Sequence, residues 1–182
     1  KRFEMSYFHR AGIKPTVANA LIRLADIQEG ETVLDPFAGA GNIPMEAAAV
    51  YGNKIKIIGG DLYEEVVDRA QENARLNNLT PYIQFHQMNV FQLDQYVEGP
   101  VDKLISNPPY GVKSAKQSNL RRLYRAFILH AAKVIRMDGR MVIMVQRADM
   151  MRQTVLRTKV FKITEERVVD GGSLYPIIFV LG

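Results

Sequence analysis

Cysteine is absent from this 182-residue chain. No disulfide framework and no thiolate chemistry are available to it, and a reducing compartment is allowed. Histidine is scarce. His9, His86 and His130 lie far apart in sequence without ligand spacing, so no metal site is expected. No apolar run approaches the roughly 20 residues that span a bilayer. No leader pattern opens the chain. These absences exclude secreted disulfide scaffolds, thiol enzymes and membrane spans, and they fit a cytoplasmic setting.

What is present is ordinary for a globular protein: 47% hydrophobic and 24% charged residues. The length suits one domain, residues 1–182, with a sizeable core. The formal charge is +5, which favours a polyanionic partner, although many basic proteins bind none. The chain begins at Lys1 rather than Met, so the expectation is a fragment or a processed product. No internal repeat, low-complexity tract or linker divides it.

Periodicity predicts strands alternating with helices. Pro15 suits a first helical turn, and Val17, Leu21 and Leu24 share one face of a helix ending near Gly30. Strands are expected at 32–34, 55–58 (running on to Gly59, Gly60 and Asp61), 82–86, 103–106 and 141–145. Two more are expected at 160–169 and 175–181, around a Gly171-Gly172 turn. Helices are expected at 43–51, 64–76 and 119–137, the last with Gly139 as its C′ residue. Such alternation means a mostly parallel sheet with helices on both faces. Ligands of such sheets bind beyond the carboxyl ends of the strands, at the switch point in strand order.

Four stretches fall at those ends. The first is Asp35-Pro36-Phe37-Ala38-Gly39-Ala40-Gly41-Asn42. Its glycines permit close approach of a ligand to the backbone, and Asn42 suits a helix cap. A phosphate loop is the alternative, but the Gly-Lys-Ser/Thr ending and the third dinucleotide glycine are missing. A carboxylate at Asp35 repels phosphate and attracts a cation. The second stretch is Asp61, an acid suited to a ribose diol or, more blandly, to capping the helix from Glu64. The third is Asn89, an amide for an adenine edge or a turn residue. The fourth is Asn107-Pro108-Pro109-Tyr110, where two prolines enforce a rigid turn rich in acceptors. Asn107 and Pro108 can accept both hydrogens of a planar amine while Tyr110 stacks on its ring. A ligand with an amino acid, a ribose and an adenine but no phosphate fits the set, and S-adenosylmethionine is such a ligand.

On these residues the chain resembles the Rossmann-like, S-adenosylmethionine-dependent amino methyltransferases. Within them it is most similar to RNA (tRNA) guanine-N2 methyltransferases whose catalytic domain follows an N-terminal THUMP domain. Phe8-His9-Arg10-Ala11-Gly12 and Leu123-Tyr124 add to the likeness, which covers nearly the whole chain. The resemblance implies an α/β fold with a mostly parallel seven-stranded sheet, its last strand inserted antiparallel. It implies a 1–30 segment and helix on the cofactor side, and a missing N-terminal RNA-binding domain. It implies Asp35 on the cofactor's ammonium, and Phe37, Gly39 and Gly41 along the methionine. It implies Asp61 on the ribose, Leu62, Asn89 and Val90 around the adenine, and Thr16 toward the cofactor carboxylate. Asn89 stands where the family commonly has aspartate. Asn107, Pro108 and Tyr110 would be catalytic, with Asn107 also against the cofactor. Pro109, Tyr110, Lys113 and Arg121 would hold the substrate.

An aromatic exocyclic amine is a poor nucleophile because its lone pair is delocalised into the ring. Acceptors on its hydrogens favour a more pyramidal nitrogen, and an in-line arrangement at about 3–3.5 Å is required before transfer. Lys113, Lys116, Arg121, Arg122 and Arg125 follow the turn closely. A solvated helix face explains them by default, and phosphate contacts are the alternative. Three substrates compete: guanine N2 of RNA, foremost tRNA; adenine N6 of DNA or RNA; and a glutamine side chain of a protein such as a release factor. The basic charge disfavours the third, and the intact turn disfavours a cofactor-binding module without catalysis.

Overall fold

The computed structural model describes residues 2–7, 12–110, 117–170 and 175–182. Its strands are β1 (Thr32–Asp35), β2 (Lys56–Asp61), β3 (Ile83–Gln87), β4 (Val101–Ser106), β5 (Ile135–Val145), β6 (Ile163–Val168) and β7 (Ile177–Leu181). Its helices are α1 (Pro15–Ala25), α2 (Asn42–Tyr51), α3 (Glu64–Leu76), α4 (Gln117–Val134) and α5 (Ala148–Thr158). The strands form one seven-stranded sheet in the order β3-β2-β1-β4-β5-β7-β6. Only β7 runs against its neighbours, antiparallel to both β5 and β6. The α/β class and the antiparallel last strand are therefore as expected.

The central strands carry apolar runs, Val33-Leu34, Ile57-Ile58, Leu104-Ile105 and Met141 to Val145, because both faces are covered there. Successive residues point to opposite sides. Val33, Ile57, Ile105 and Val142 pack under α1, α2 and α3. Leu34, Ile58, Leu104 and Ile143, one residue away in each strand, pack under α4 and α5 with Phe127, Met151 and Val155. Strand order reverses between β1 and β4, which are neighbours in space with β2 and β3 on one side and β5 on the other. The site-bearing stretches thus leave the sheet at its switch point.

Several boundaries differ from expectation. Helix α1 stops at Ala25, with Asp26 in the left-handed conformation (φ 54°), rather than near Gly30. Helix α4 stops at Val134 and the chain passes directly into β5. Gly139 is therefore not a helix C′ residue. It lies in a bulged part of β5, where the three residues of β4 from Val101 to Lys103 are matched by six of β5, Ile135 to Arg140. A Cβ on Gly139 would lie 2.8 Å from the Asp102 carbonyl oxygen and 2.5 Å from Ile135 Cγ2. Close approach, not turn geometry, requires glycine there. Helix α5 was not anticipated at all, and β6 is shorter than the 160–169 expected. The Gly171-Gly172 turn lies outside the described residues.

Candidate cofactor and amine site

A cavity of about 360 Å³ opens at the carboxyl ends of β1, β2 and β4, between the glycine loop and the Asn107–Tyr110 turn. Each wall follows from a local choice in the chain. On leaving β1 the backbone turns through Gly39 (φ 54°) and Gly41 (φ 87°), conformations that side chains rarely adopt. Gly41, not Asn42, is the N-cap of α2; Asn42 is its first residue and lines the cavity.

Asp35 sits at the base, 2% exposed. Its Oδ1 accepts from Ser106 Oγ at 2.6 Å and from the Phe37 backbone N–H at 3.1 Å. Its Oδ2 is the one buried side-chain oxygen or nitrogen among the described residues without a hydrogen-bond partner. Burial pushes the carboxyl up to about 7; the bonds from Ser106 and Phe37 oppose that rise, and the Asp61 carboxylate adds to it. A buried carboxylate with one unused oxygen suits a cation better than a phosphate.

Asp61 ends β2 beside the loop. Its Oδ2 accepts from the Gly39 N–H at 3.2 Å and its Oδ1 from the Tyr63 N–H at 3.3 Å. The carboxylate therefore braces the loop and the approach to α3, whose N-cap is Tyr63 without a side-chain cap, while remaining partly exposed at the cavity. Asn89 Oδ1 accepts from the Phe91 N–H at 3.0 Å, which caps the short 3-10 segment Val90–Gln95. Its amide NH2 remains as a donor. Leu62 and Tyr63, 48% and 61% exposed, form an apolar rim suited to a planar ring.

The opposite wall is the turn after β4. Asn107, Pro108, Pro109 and Tyr110 all line the cavity. The Tyr110 hydroxyl donates to Asn107 Oδ1. An amide oxygen carries two lone pairs, so an asparagine at this place can accept from more than one donor. From behind, the buried Tyr124 of α4 donates its hydroxyl to the Pro109 carbonyl at 3.1 Å. Burial raises the pKa of both phenols, so both stay protonated and can donate.

A family model described as RMKL-like, methyltransferase domain matches residues 2–176. The chain belongs to that family. A tRNA (guanine(6)-N2)-methyltransferase of Thermus thermophilus is 33% identical over 172 residues, 94% of this chain and 50% of that protein. The U6 snRNA (guanine-N(2))-methyltransferase THUMPD2 of Bos taurus is 31% identical over 139 residues, 76% of this chain and 26% of that protein. The crystal structure of TrmN from Thermus thermophilus matches with a TM-score of 0.84 at 33% identity, covering 93% of this chain and 48% of that one. The chain spans about half the length of the first relatives it matches, 50%, 56% and 51%.

In this RMKL-like domain most of the residues expected at the site line the one cavity: Asp35, Phe37, Gly39, Asp61, Leu62, Asn89, Val90, Asn107, Pro108, Pro109 and Tyr110. Gly41 does not. It is buried behind the loop, and a Cβ there would come within 3.2 Å of the Phe85 ring and 3.4 Å of Ala70. Its role is packing α2 against the sheet. Thr16 is exposed on α1 and lines no part of the cavity, where Gly12 and Ile13 stand instead. Arg121 lines a different groove, and Lys113 lies outside the described residues. Reasoning from sequence missed Ser106, whose Oγ donates to Asp35 Oδ1 across 71 positions. It also missed Asn73, fully buried in α3, whose Nδ2 donates to the carbonyls of Tyr7 and Ala40, both at 3.0 Å. Asn73 Oδ1 accepts from the Ser6 and Tyr7 backbone N–H groups at 2.9 and 3.3 Å. A polar residue on the otherwise apolar stripe of Val66, Val67, Ala70 and Ala74 was the available signal.

Proposed function

We propose that this chain is the catalytic part of an S-adenosylmethionine-dependent RNA methyltransferase that modifies the exocyclic N2 amine of guanine, with tRNA as substrate, in the cytoplasm. The observation that carries the reading is the pairing, across one cavity, of the unpartnered Asp35 oxygen with the acceptor-rich Asn107–Tyr110 turn. The guanine-N2 names of relatives at 33% and 31% identity support the choice of amine. Capture of the RNA by a further N-terminal unit is part of the proposal.

The residues fit the cofactor's chemistry. Asp35 Oδ2 would hold its ammonium, Asp61 would accept from its ribose hydroxyls, and the Leu62–Tyr63 rim and the Asn89 amide would hold the adenine. When bound, the cofactor would supply an electrophilic methyl group. Asn107 and the Pro108 carbonyl would accept the two amine hydrogens and orient the nitrogen lone pair. Tyr110 stacks on the base and, through its hydroxyl, holds the Asn107 side chain in place. Positioning of this kind can supply about 7–11 kcal/mol of a barrier. The product nitrogen sheds its proton readily, so no strong base is needed.

The deciding experiment is incubation of the chain with total tRNA and isotopically labelled cofactor, followed by nucleoside mass spectrometry. N2-methylguanosine is expected. Label in N6-methyladenosine would instead move the substrate to adenine, and label in a protein glutamine but in no nucleoside would reject an RNA substrate. Asn107→Ala should abolish transfer and leave cofactor affinity nearly unchanged.

A further inference from the structure

A second concavity, about 310 Å³, lies between α4 and α5, away from the site above. Arg121 and Arg125, one turn apart on α4, form one wall, and Arg157 of α5 stands on the other. Its floor is apolar, with Leu129 and Met150. Three arginines gather in this lining with no acid among them. Five arginines elsewhere meet acids, Arg2 with Glu46, Arg75 with Glu72, Arg136 with Asp102, Arg152 with Glu166 and Arg167 with Glu165, while Arg23 bonds to Asn19, Arg69 and Arg122 lie over aromatic rings and Arg140 donates to the Leu24 carbonyl. Among the described residues no carboxylate pairs with Arg121, Arg125 or Arg157. The threonine hydroxyls of the groove are turned inward on their own helix, Thr154 donating to the Met150 carbonyl at 2.8 Å and Thr158 to that of Thr154 at 2.9 Å. What the groove offers outward is guanidinium donors and positive charge. Like charges one turn apart on a helix repel, and a bound anion converts that repulsion into attraction.

We infer that this groove is a phosphate-binding track for the backbone of the RNA substrate; the inference rests on the function proposed above. The link to the amine site is α4 itself. Arg121 and Arg125 flank Tyr124, about 6 Å apart along the helix axis, and Tyr124 fixes the Pro109 carbonyl of the turn. Arg122, on a neighbouring face, stacks over Phe91 of the cofactor cavity at 5.5 Å. The helix that positions the target base therefore also carries the cations. A strand whose base enters the cavity has its neighbouring phosphates within reach of the same helix. Guanidinium forks pair phosphate oxygens in a bidentate manner, for which a lysine ammonium is no substitute in geometry although it is in charge.

The test uses the 182-residue chain with tRNA at a series of salt concentrations, comparing wild type with Arg121→Gln/Arg125→Gln/Arg157→Gln. Each phosphate contact contributes about −0.7 to the slope of log affinity against log salt for single strands. The triple variant should flatten that slope by about 2 and raise KM for tRNA at least tenfold. Its kcat at saturating tRNA, cofactor affinity and melting temperature should stay at wild-type values. The corresponding triple lysine variant should recover most of the slope and only part of the affinity. Wild-type slope and KM in the glutamine variant, while the wild-type enzyme methylates tRNA, would overturn the track and hand the groove to an acidic protein partner. Methylation of a protein glutamine, but not of tRNA, by the wild type would instead bring down the function and the track together.

Discussion

Asp35 couples the cofactor site to pH. Its carboxyl is raised by burial to about 7, against an ordinary value of 3.8. A raised acid favours the protonated fold, so its contribution is fully present below about pH 4 and is lost as pH climbs through about 7. Cofactor binding runs the opposite way, because an ammonium is held by the ionised form. In the absence of cofactor, wild-type melting temperature should therefore fall between pH 5 and pH 8 relative to Asp35→Asn, which carries no charge to bury. Calorimetry should show wild-type affinity for the cofactor rising over the same interval, and weak, flat binding by the variant. Parallel pH profiles for the two proteins would contradict the assignment. Asp61→Ala should weaken cofactor binding by about 1.5–3 kcal/mol, the worth of hydrogen bonds to a charged group. Asp35, Asp61 and Asn107 were legible in the sequence because each is a polar residue at the end of an apolar run. Ser106 and Asn73 were not, since their partners lie 71 and 67 positions away and only the fold brings them together.

Element boundaries show where local pattern is a sufficient guide. Helix α3 was read to the residue, because Val66, Val67, Ala70 and Ala74 make an unbroken buried stripe. Helix α5 was not, because its buried set is only Met150, Met151 and Val155, and Leu156 beside them is 63% exposed. The end of α4 was misplaced for a different reason. Gly139 looks like a stop signal, yet its lack of a side chain serves the close passage of β5 over Asp102. The same contact logic applies to β2, whose Gly59-Gly60 pair was visible only as a strand end. A Cβ on Gly60 would fall 2.2 Å from Met88 Sδ, and on Gly59 2.6 Å from the Phe85 ring. The Gly60 carbonyl also accepts from the Ala38 N–H of the glycine loop at 2.7 Å. Gly60→Ala should thus destabilise the fold by about 1–3 kcal/mol, as overpacked cores do, and displace the loop with it. Urea unfolding should show a lower midpoint, with cofactor affinity falling beyond what the lost stability explains. A wild-type midpoint would mean that Met88 has room to move aside.

At the scale of the molecule, the fold class followed from alternation of strand and helix, and the switch point followed from the class. The attachment of the N-terminal segment did not, because it uses no periodic pattern. Residues 2–7 are held by side chains of α2 and of α3 with its C-cap. Arg2 pairs with Glu46 at 3.1 Å, Asn77 exchanges hydrogen bonds with the Glu4 backbone at 2.7 and 2.9 Å, and Arg69 lies 4.5 Å over the Tyr7 ring. Asn73 is the joint. One end of its amide takes the N–H groups of Ser6 and Tyr7, and the other spans from the Tyr7 carbonyl to the Ala40 carbonyl of the glycine loop. Gly12 and Ile13, a few residues on, form part of the cavity wall. The segment and the cofactor loop are thus tied through one buried side chain, and ligand bound against the loop should be felt in the segment. Asn73→Ala removes every one of these bonds and leaves buried backbone groups without partners, at about 1–3 kcal/mol for a single unsatisfied group. Hydrogen exchange read on a peptide covering residues 2–7 should be slow in the wild type and slower still with cofactor. In Asn73→Ala it should be fast and indifferent to cofactor, while the strands of the sheet keep their protection. Unchanged exchange in the variant would show that Arg2, Arg69 and Asn77 hold the segment unaided, and that the tie to the loop carries no coupling.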